Sequence, residues 1–230
     1  MHDKQIIHFT ETYNSLSSIL LDSSFKLSYC SEIFTVKGSR VSSAAHPMVC
    51  FSAYSTIDLN GRNITYGRYA IVMKKTWVNA NTVTPVLYVD SYSQVALALG
   101  KMLRSRQGKE TFKLPDELRL PVIQLKCFTK NSRGYNSYYK EDNFLFYEEN
   151  EWRFVPTLSE LDGARLSQNL STYENNKLKH EIKLSGHSLN FKYQDIEKVY
   201  VEHEVEVSNV KSILGGSTVV EVSPWITKSV

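Results

Sequence analysis

Tyr69-Ala70-Ile71-Val72-Met73 is the segment that most constrains this chain. Five apolar residues in a row, without alternation and bounded by turn and polar residues, read as a strand buried on both faces. Such a strand belongs inside a sheet that is covered on both sides. Ile6-Ile7-His8-Phe9-Thr10 reads as a buried first strand, and Pro47 to Ser52 as another. Val86 to Val89, entered through Pro85, and Val122 to Phe128, after Pro121, read as further strands. Trp152 to Val155, Phe191 to Tyr193 and Val199 to Val201 complete the set.

Two helices are predicted between them. Thr12 or Asn14 can cap the first, with Leu16, Ile19 and Leu20 on one face. Ser91 or Ser93 can cap the second, running through Val95, Leu99, Met102 and Leu103. Residues 36–46, rich in Ser, Gly, Lys and Arg, read as a mobile loop, and 129–142 as a polar, Tyr-rich loop. Residues 157–180 are compatible with helix or loop. No repeat or Pro/Gly/Ser linker divides the chain, so the expectation is one α+β domain over residues 1–230.

Composition narrows the function classes. Hydrophobic residues make up 42% and charged residues 22% of 230, which suits a folded globular chain and not a disordered one. The longest apolar runs are four or five residues, far short of the ~20 that span a membrane. The opening Met1 to Gln5 does not lead into a signal-peptide core, so a cytoplasmic location is expected. Lys and Arg exceed Asp and Glu by 27 to 24, a net +3 too small to imply nucleic-acid binding by itself. Cys30, Cys50 and Cys127 are widely spaced and form no Cys-x-x-Cys pair. They read as three reduced, partly buried thiols with no metal site.

Three places put polar groups where short buried strands would not spontaneously hold them. His8 lies between Ile7 and Phe9, and alternation sets it on the same face as Thr10. Taken alone, a hydrogen-bonded core histidine is the simpler reading. Phe51-Ser52 is followed after a turn by Tyr66-Gly67-Arg68-Tyr69, where Gly67 permits close backbone approach. Tyr66 alone is simply a half-buried aromatic. Glu149-Asn150-Glu151 precedes the apolar Trp152-Arg153-Phe154-Val155, placing a carboxylate at a strand mouth where its environment can tune it. Most Glu runs are solvated turns.

Together these segments resemble the AbiGi family of abortive phage-resistance proteins. The resemblance rests on His8-Phe9-Thr10, Phe51-Ser52, the Tyr66-Gly-x-Tyr69-Ala-Ile run and Glu149-x-Glu151-Trp-Arg-Phe-Val-Pro156. The arrangement is also similar to ADP-ribosyltransferases of the His-Tyr-Glu kind. That likeness implies a split antiparallel β-sheet core with flanking helices and a cleft for NAD, consumed as a substrate. It implies that Glu151 is catalytic and that His8, Thr10, Phe51, Ser52, Tyr66 and Tyr69 bind NAD. Nicotinamide leaves as a neutral ring, so the enzyme needs mainly to hold the ribose and set negative charge beside an oxocarbenium-like centre. The role of Glu149 stays open.

On this resemblance the expected function is an ADP-ribosyltransferase toxin of a phage-defence toxin–antitoxin system. Its expected partners are a nucleic-acid acceptor, RNA before DNA, a cognate antitoxin and a SecB-like chaperone. Lys130, Arg133, Tyr135, Tyr138 and Tyr139 are the candidate acceptor contacts, because cations meet phosphates while rings stack on bases. Solvated surface is the competing reading. Proteins of the AbiGi family have been labelled antitoxins, so the alternative is a non-catalytic antitoxin that keeps the cleft for partner recognition. A protein-modifying transferase is a third reading.

Overall fold

A computed structural model describes residues 4–136, 139–216 and 218–226. Strand β1 (Gln5–Thr10) leads into helix α1 (Tyr13–Asp22). Thr12 caps this helix, its hydroxyl oxygen accepting from the Ser15 amide, and Leu16 and Leu20 are its buried face. A long hairpin follows, made of β2 (Ser28–Val36) and β3 (Ser39–Tyr54). It turns at Lys37 and Gly38, both at positive φ, which suits a tight two-residue hairpin turn. The loop expected over residues 36–46 is therefore mostly strand. Val36, Val41, Ala44 and Ala45 are buried there, and the intervening polar residues hid that pattern in the sequence.

Strand β4 (Tyr69–Met73) is buried at every position, as its apolar run requires. The two-residue β5 (Thr84–Pro85) comes next. Helix α2 (Gln94–Arg106) is capped by Ser93. Helix α3 (Asp116–Cys127) replaces the strand expected after Pro121. Asp116 and Glu117 favour the positive end of its dipole. Val122, Ile123, Lys126 and Cys127 are buried at helical spacing. That packing outweighs the backbone hydrogen bond forfeited at Pro121. The remaining elements of interest are β6 (Thr129–Asn131), β7 (Glu151–Phe154), β8 (Ile196–Val201), α4 (Glu204–Leu214) and β9 (Val219–Val222).

The architecture is α+β. The main sheet runs β9-β8-β4-β1-β3-β7-β5. β9 is parallel to β8, and the other neighbours along this path are antiparallel. β2 pairs along the first half of β3, so this 16-residue strand carries two sets of partners. The short strand Gln168–Asn169 pairs there too, which brings this sheet to nine strands. Alternate residues of β4 feed opposite cores. Tyr69, Ile71 and Met73 join a large cluster with Leu16, Phe51 and Val199, whereas Ala70 and Val72 join Ile7, Tyr54, Tyr200 and Trp225.

Two more expectations are corrected. Phe191 to Tyr193 is not a strand; the pairing segment is Ser188–Asn190, against Ser24–Lys26. The Tyr-rich loop holds β6 and a hairpin of Gly134–Asn136 with Glu141–Phe144. No helix among the described residues is long and apolar enough to cross a membrane.

Candidate functional site

β1 and β7 pair with opposite edges of β3, and the site lies where they part. β1 stays in register with β3 only from Gln5↔Tyr54 to Ile7↔Ser52, and β7 pairs from Glu151↔Ser52 to Phe154↔Val49. His8 is the first residue of β1 beyond the paired stretch. Its Nδ1 lies 2.9 Å from the Cys50 carbonyl, which can only accept, so Nδ1 donates and carries the proton. The ring packs on Phe25 and Phe51 at 4.7 and 5.6 Å between centroids. Burial drives its pKa down, only partly offset by the Cys50 hydrogen bond.

A cavity of about 170 Å³ opens between these strands. It gathers His8, Phe51, Ser52, Tyr66 and Glu151 from the expected NAD contacts, Lys130 from the expected acceptor contacts, and Glu149. A wider cleft of about 730 Å³ near Lys4, Ser55 and Lys74 is lined by none of the expected residues.

A chain of alternating charges runs from the cavity into the core. Strand alternation sets Glu151 and Arg153 on one face of β7. Arg153 Nε donates to Glu151 Oε1 at 2.7 Å and Nη2 to Oε2 at 3.0 Å. The same guanidinium donates to Glu32 Oε1 on β2 at 2.5 Å and to the Cys127 carbonyl at 2.6 Å. On the cavity side Lys130 Nζ donates to Glu151 Oε2 at 3.1 Å and to Glu149 Oε2 at 2.8 Å. The Tyr66 hydroxyl closes the series on Glu149 Oε1 at 2.8 Å. Arg153 is fully buried, and Glu151 and Glu32 are 8% and 7% exposed. Burial alone would raise the Glu151 carboxyl, but Arg153 and Lys130 reverse that and hold it well below the usual carboxylate range. Lys130 is held above the ordinary lysine value, its burial outweighed by Glu151 and Glu149. Both oxygens of Glu151 are thus engaged, and its charge is answered by two cations.

Thr10 and Tyr69 lie elsewhere. Thr10 is at the far end of β1, opposite Tyr69 of β4, and lines no part of the cavity. Tyr69 is buried in the main core, and its hydroxyl donates to Glu206 on α4 at 2.9 Å. Lys130 was expected to face an acceptor but sits inside the charge chain, 4.6 Å from the Phe146 ring centroid. Its strand β6 pairs with Leu87–Val89, which fixes it opposite Tyr88. Tyr88 in turn accepts the Glu151 amide at 2.9 Å. Arg133 and Tyr135 are exposed on the hairpin, and Tyr139 stacks on Phe144 at 5.5 Å. Tyr138 lies outside the described residues.

Sequence reasoning missed Arg153 and Glu32 as parts of this site, and gave Lys130 an acceptor contact without its place beside Glu151. The spacing of Glu151 and Arg153 was a usable signal, since residues two apart on a strand share a face. Glu32 gave none, because only the fold brings it to Arg153 across 121 positions. Among the described residues no group of three or more His, Cys, Asp or Glu is placed to hold a metal ion.

The family described as "Putative abortive phage resistance protein AbiGi, antitoxin" matches residues 23–202, most of the chain. None of the curated proteins and none of the solved structures matches significantly. The match places the chain in abortive infection and antiviral defence. It overturns the expectation of an ADP-ribosyltransferase toxin with a cognate antitoxin as partner, because the family is one of antitoxins.

Proposed function

The chain belongs to the AbiGi family, and on that premise we propose that it is the antitoxin of an abortive phage-resistance pair. It acts by binding a cognate toxin and not by transforming a substrate. The observation that carries this reading is the family match across residues 23–202. The pairing of Glu151 supports it, since that carboxylate joins β2, β6 and β7 through Arg153 and Lys130. On this reading the charge chain is a structural clasp that holds a recognition surface in shape. The cavity, with His8 and Phe51 on its walls and Tyr66 on its rim, is part of that surface.

Size-exclusion chromatography of the purified chain, mixed with the toxin encoded alongside it, tests the proposal. A stable complex that elutes earlier than either protein is the expected result. Separate elution at micromolar concentration, with both proteins folded, would sink it.

A further inference from the structure

Cys30 on β2 and Cys50 on β3 carry their sulfurs 4.0 Å apart. Cys30 is paired in register with His46, and Cys50 lies four residues further along the same strand as His46. Alternation puts all three side chains on one face. Both thiols are half-buried and neither is committed to a disulfide. Cys50 also borders the cavity. Arg153 stands opposite Cys50 in the β7–β3 register, with its partners Glu151 and Glu32 countering its charge at the pair.

We propose that Cys30 and Cys50 form a peroxide-sensitive dithiol, a modification site that closes to an intramolecular disulfide. Cys30 is the attacking sulfur. The two thiols lie within reach of one another, either able to donate, and the contact favours a thiolate on Cys30 over one on Cys50. In the first step the Cys30 thiolate attacks one oxygen of hydrogen peroxide. The O–O bond breaks, and Cys30 becomes a sulfenic acid as hydroxide leaves and takes up a proton. In the second step the Cys50 sulfur attacks the sulfenic sulfur. The S–O bond breaks, and the departing hydroxide leaves as water with the Cys50 proton. Two thiols lose two electrons and two protons, and the peroxide is reduced to two waters. The sulfurs must approach by roughly 2 Å to reach bonding distance. Cys127 is the built-in control. It is fully buried on α3, 3.4 Å from His46 Nδ1, and burial pushes its thiol up to about 12.

The test uses the full chain, reduced and then exposed to hydrogen peroxide. Free thiols should fall from three to one, and the intact mass should drop by two hydrogens. A digest should contain one linked pair joining the Cys30 and Cys50 peptides, and a reducing agent should restore all three thiols. Cys50→Ser should stop at a Cys30 sulfenic acid that dimedone labels. The wild-type mass and digest stand by themselves should that variant fold poorly. Persistence of three thiols, a bond that includes Cys127, pairing only between chains, or passage straight to sulfinic acid would each overturn the proposal.

Discussion

Glu151 and Arg153, two residues apart on β7, grip each other through two hydrogen bonds, Nε to Oε1 at 2.7 Å and Nη2 to Oε2 at 3.0 Å. This two-point pairing is the strong form of a carboxylate–guanidinium contact. It ties the carboxylate at the cavity to a guanidinium buried in the core.

Arg153→Met should therefore be among the most damaging substitutions in the chain. It strands Glu32 and Glu151 as buried charges, leaving Glu151 only Lys130. Removing one partner of a buried pair costs about 3–5 kcal/mol. Urea denaturation at neutral pH measures it, and a loss below about 1 kcal/mol would mean the pair is solvated in solution.

Acid should unfold the chain through the same cluster. The Glu151 and Glu32 carboxyls titrate below their unfolded values, since Arg153 and its neighbouring lysines outweigh the burial of each. Groups with depressed folded pKa values stabilise above the unfolded value, about 4.3 for Glu, and lose that contribution as pH falls below it. Stability should drop steeply below about pH 4.3. Glu151→Gln should lower stability at neutral pH and flatten that acid limb; an unchanged limb would remove Glu151 from the account.

His46 predicts a second, earlier window. Burial lowers its pKa from 6.5 to about 4, and its Nε2 has no hydrogen-bond partner among the described residues. Between those values the unfolded chain binds the proton and the folded chain does not, so stability falls as pH drops from 6.5 towards 4. The shift corresponds to about 3 kcal/mol. In His46→Gln the slope across this window should shrink, as read from melting temperatures at matched ionic strength. A variant as steep as the wild type would contradict it.

Gly67→Ala should destabilise through the backbone beside Tyr66. Gly67 sits at φ +101°, and an added Cβ would collide with the Thr10 carbonyl and the Glu11 backbone. The backbone conformation alone costs a side chain about 1–2 kcal/mol, and the collision adds to it. A variant as stable as the wild type would show that the turn relaxes freely.

Much of this was legible in the sequence, for identifiable reasons. The unbroken run Tyr69–Met73 could only be an interior strand, and Thr12 and Ser93 announced their helices by local capping chemistry. His8, Phe51, Ser52, Tyr66 and Glu151 do meet at one cavity. What failed was non-local. Lys130 reads as a free surface cation until β6 pairs beside Tyr88 and delivers it to Glu149 and Glu151. Glu32 means nothing until the hairpin of β2 and β3 folds it onto Arg153. Residues 36–46 and 122–128 were misread because a polar-rich strand and a Pro-containing helix both contradict local propensity, and packing overrode it.

The most direct test of the antitoxin reading is growth of cells expressing this chain alone, the toxin encoded beside it alone, and both together, with nicotinamide release from NAD assayed on the purified chain. The account predicts normal growth with the chain alone, arrest with the toxin alone, rescue by co-expression, and no nicotinamide above the buffer control. Arrest by the chain alone, with nicotinamide release that Glu151→Gln abolishes in a folded protein, would contradict it.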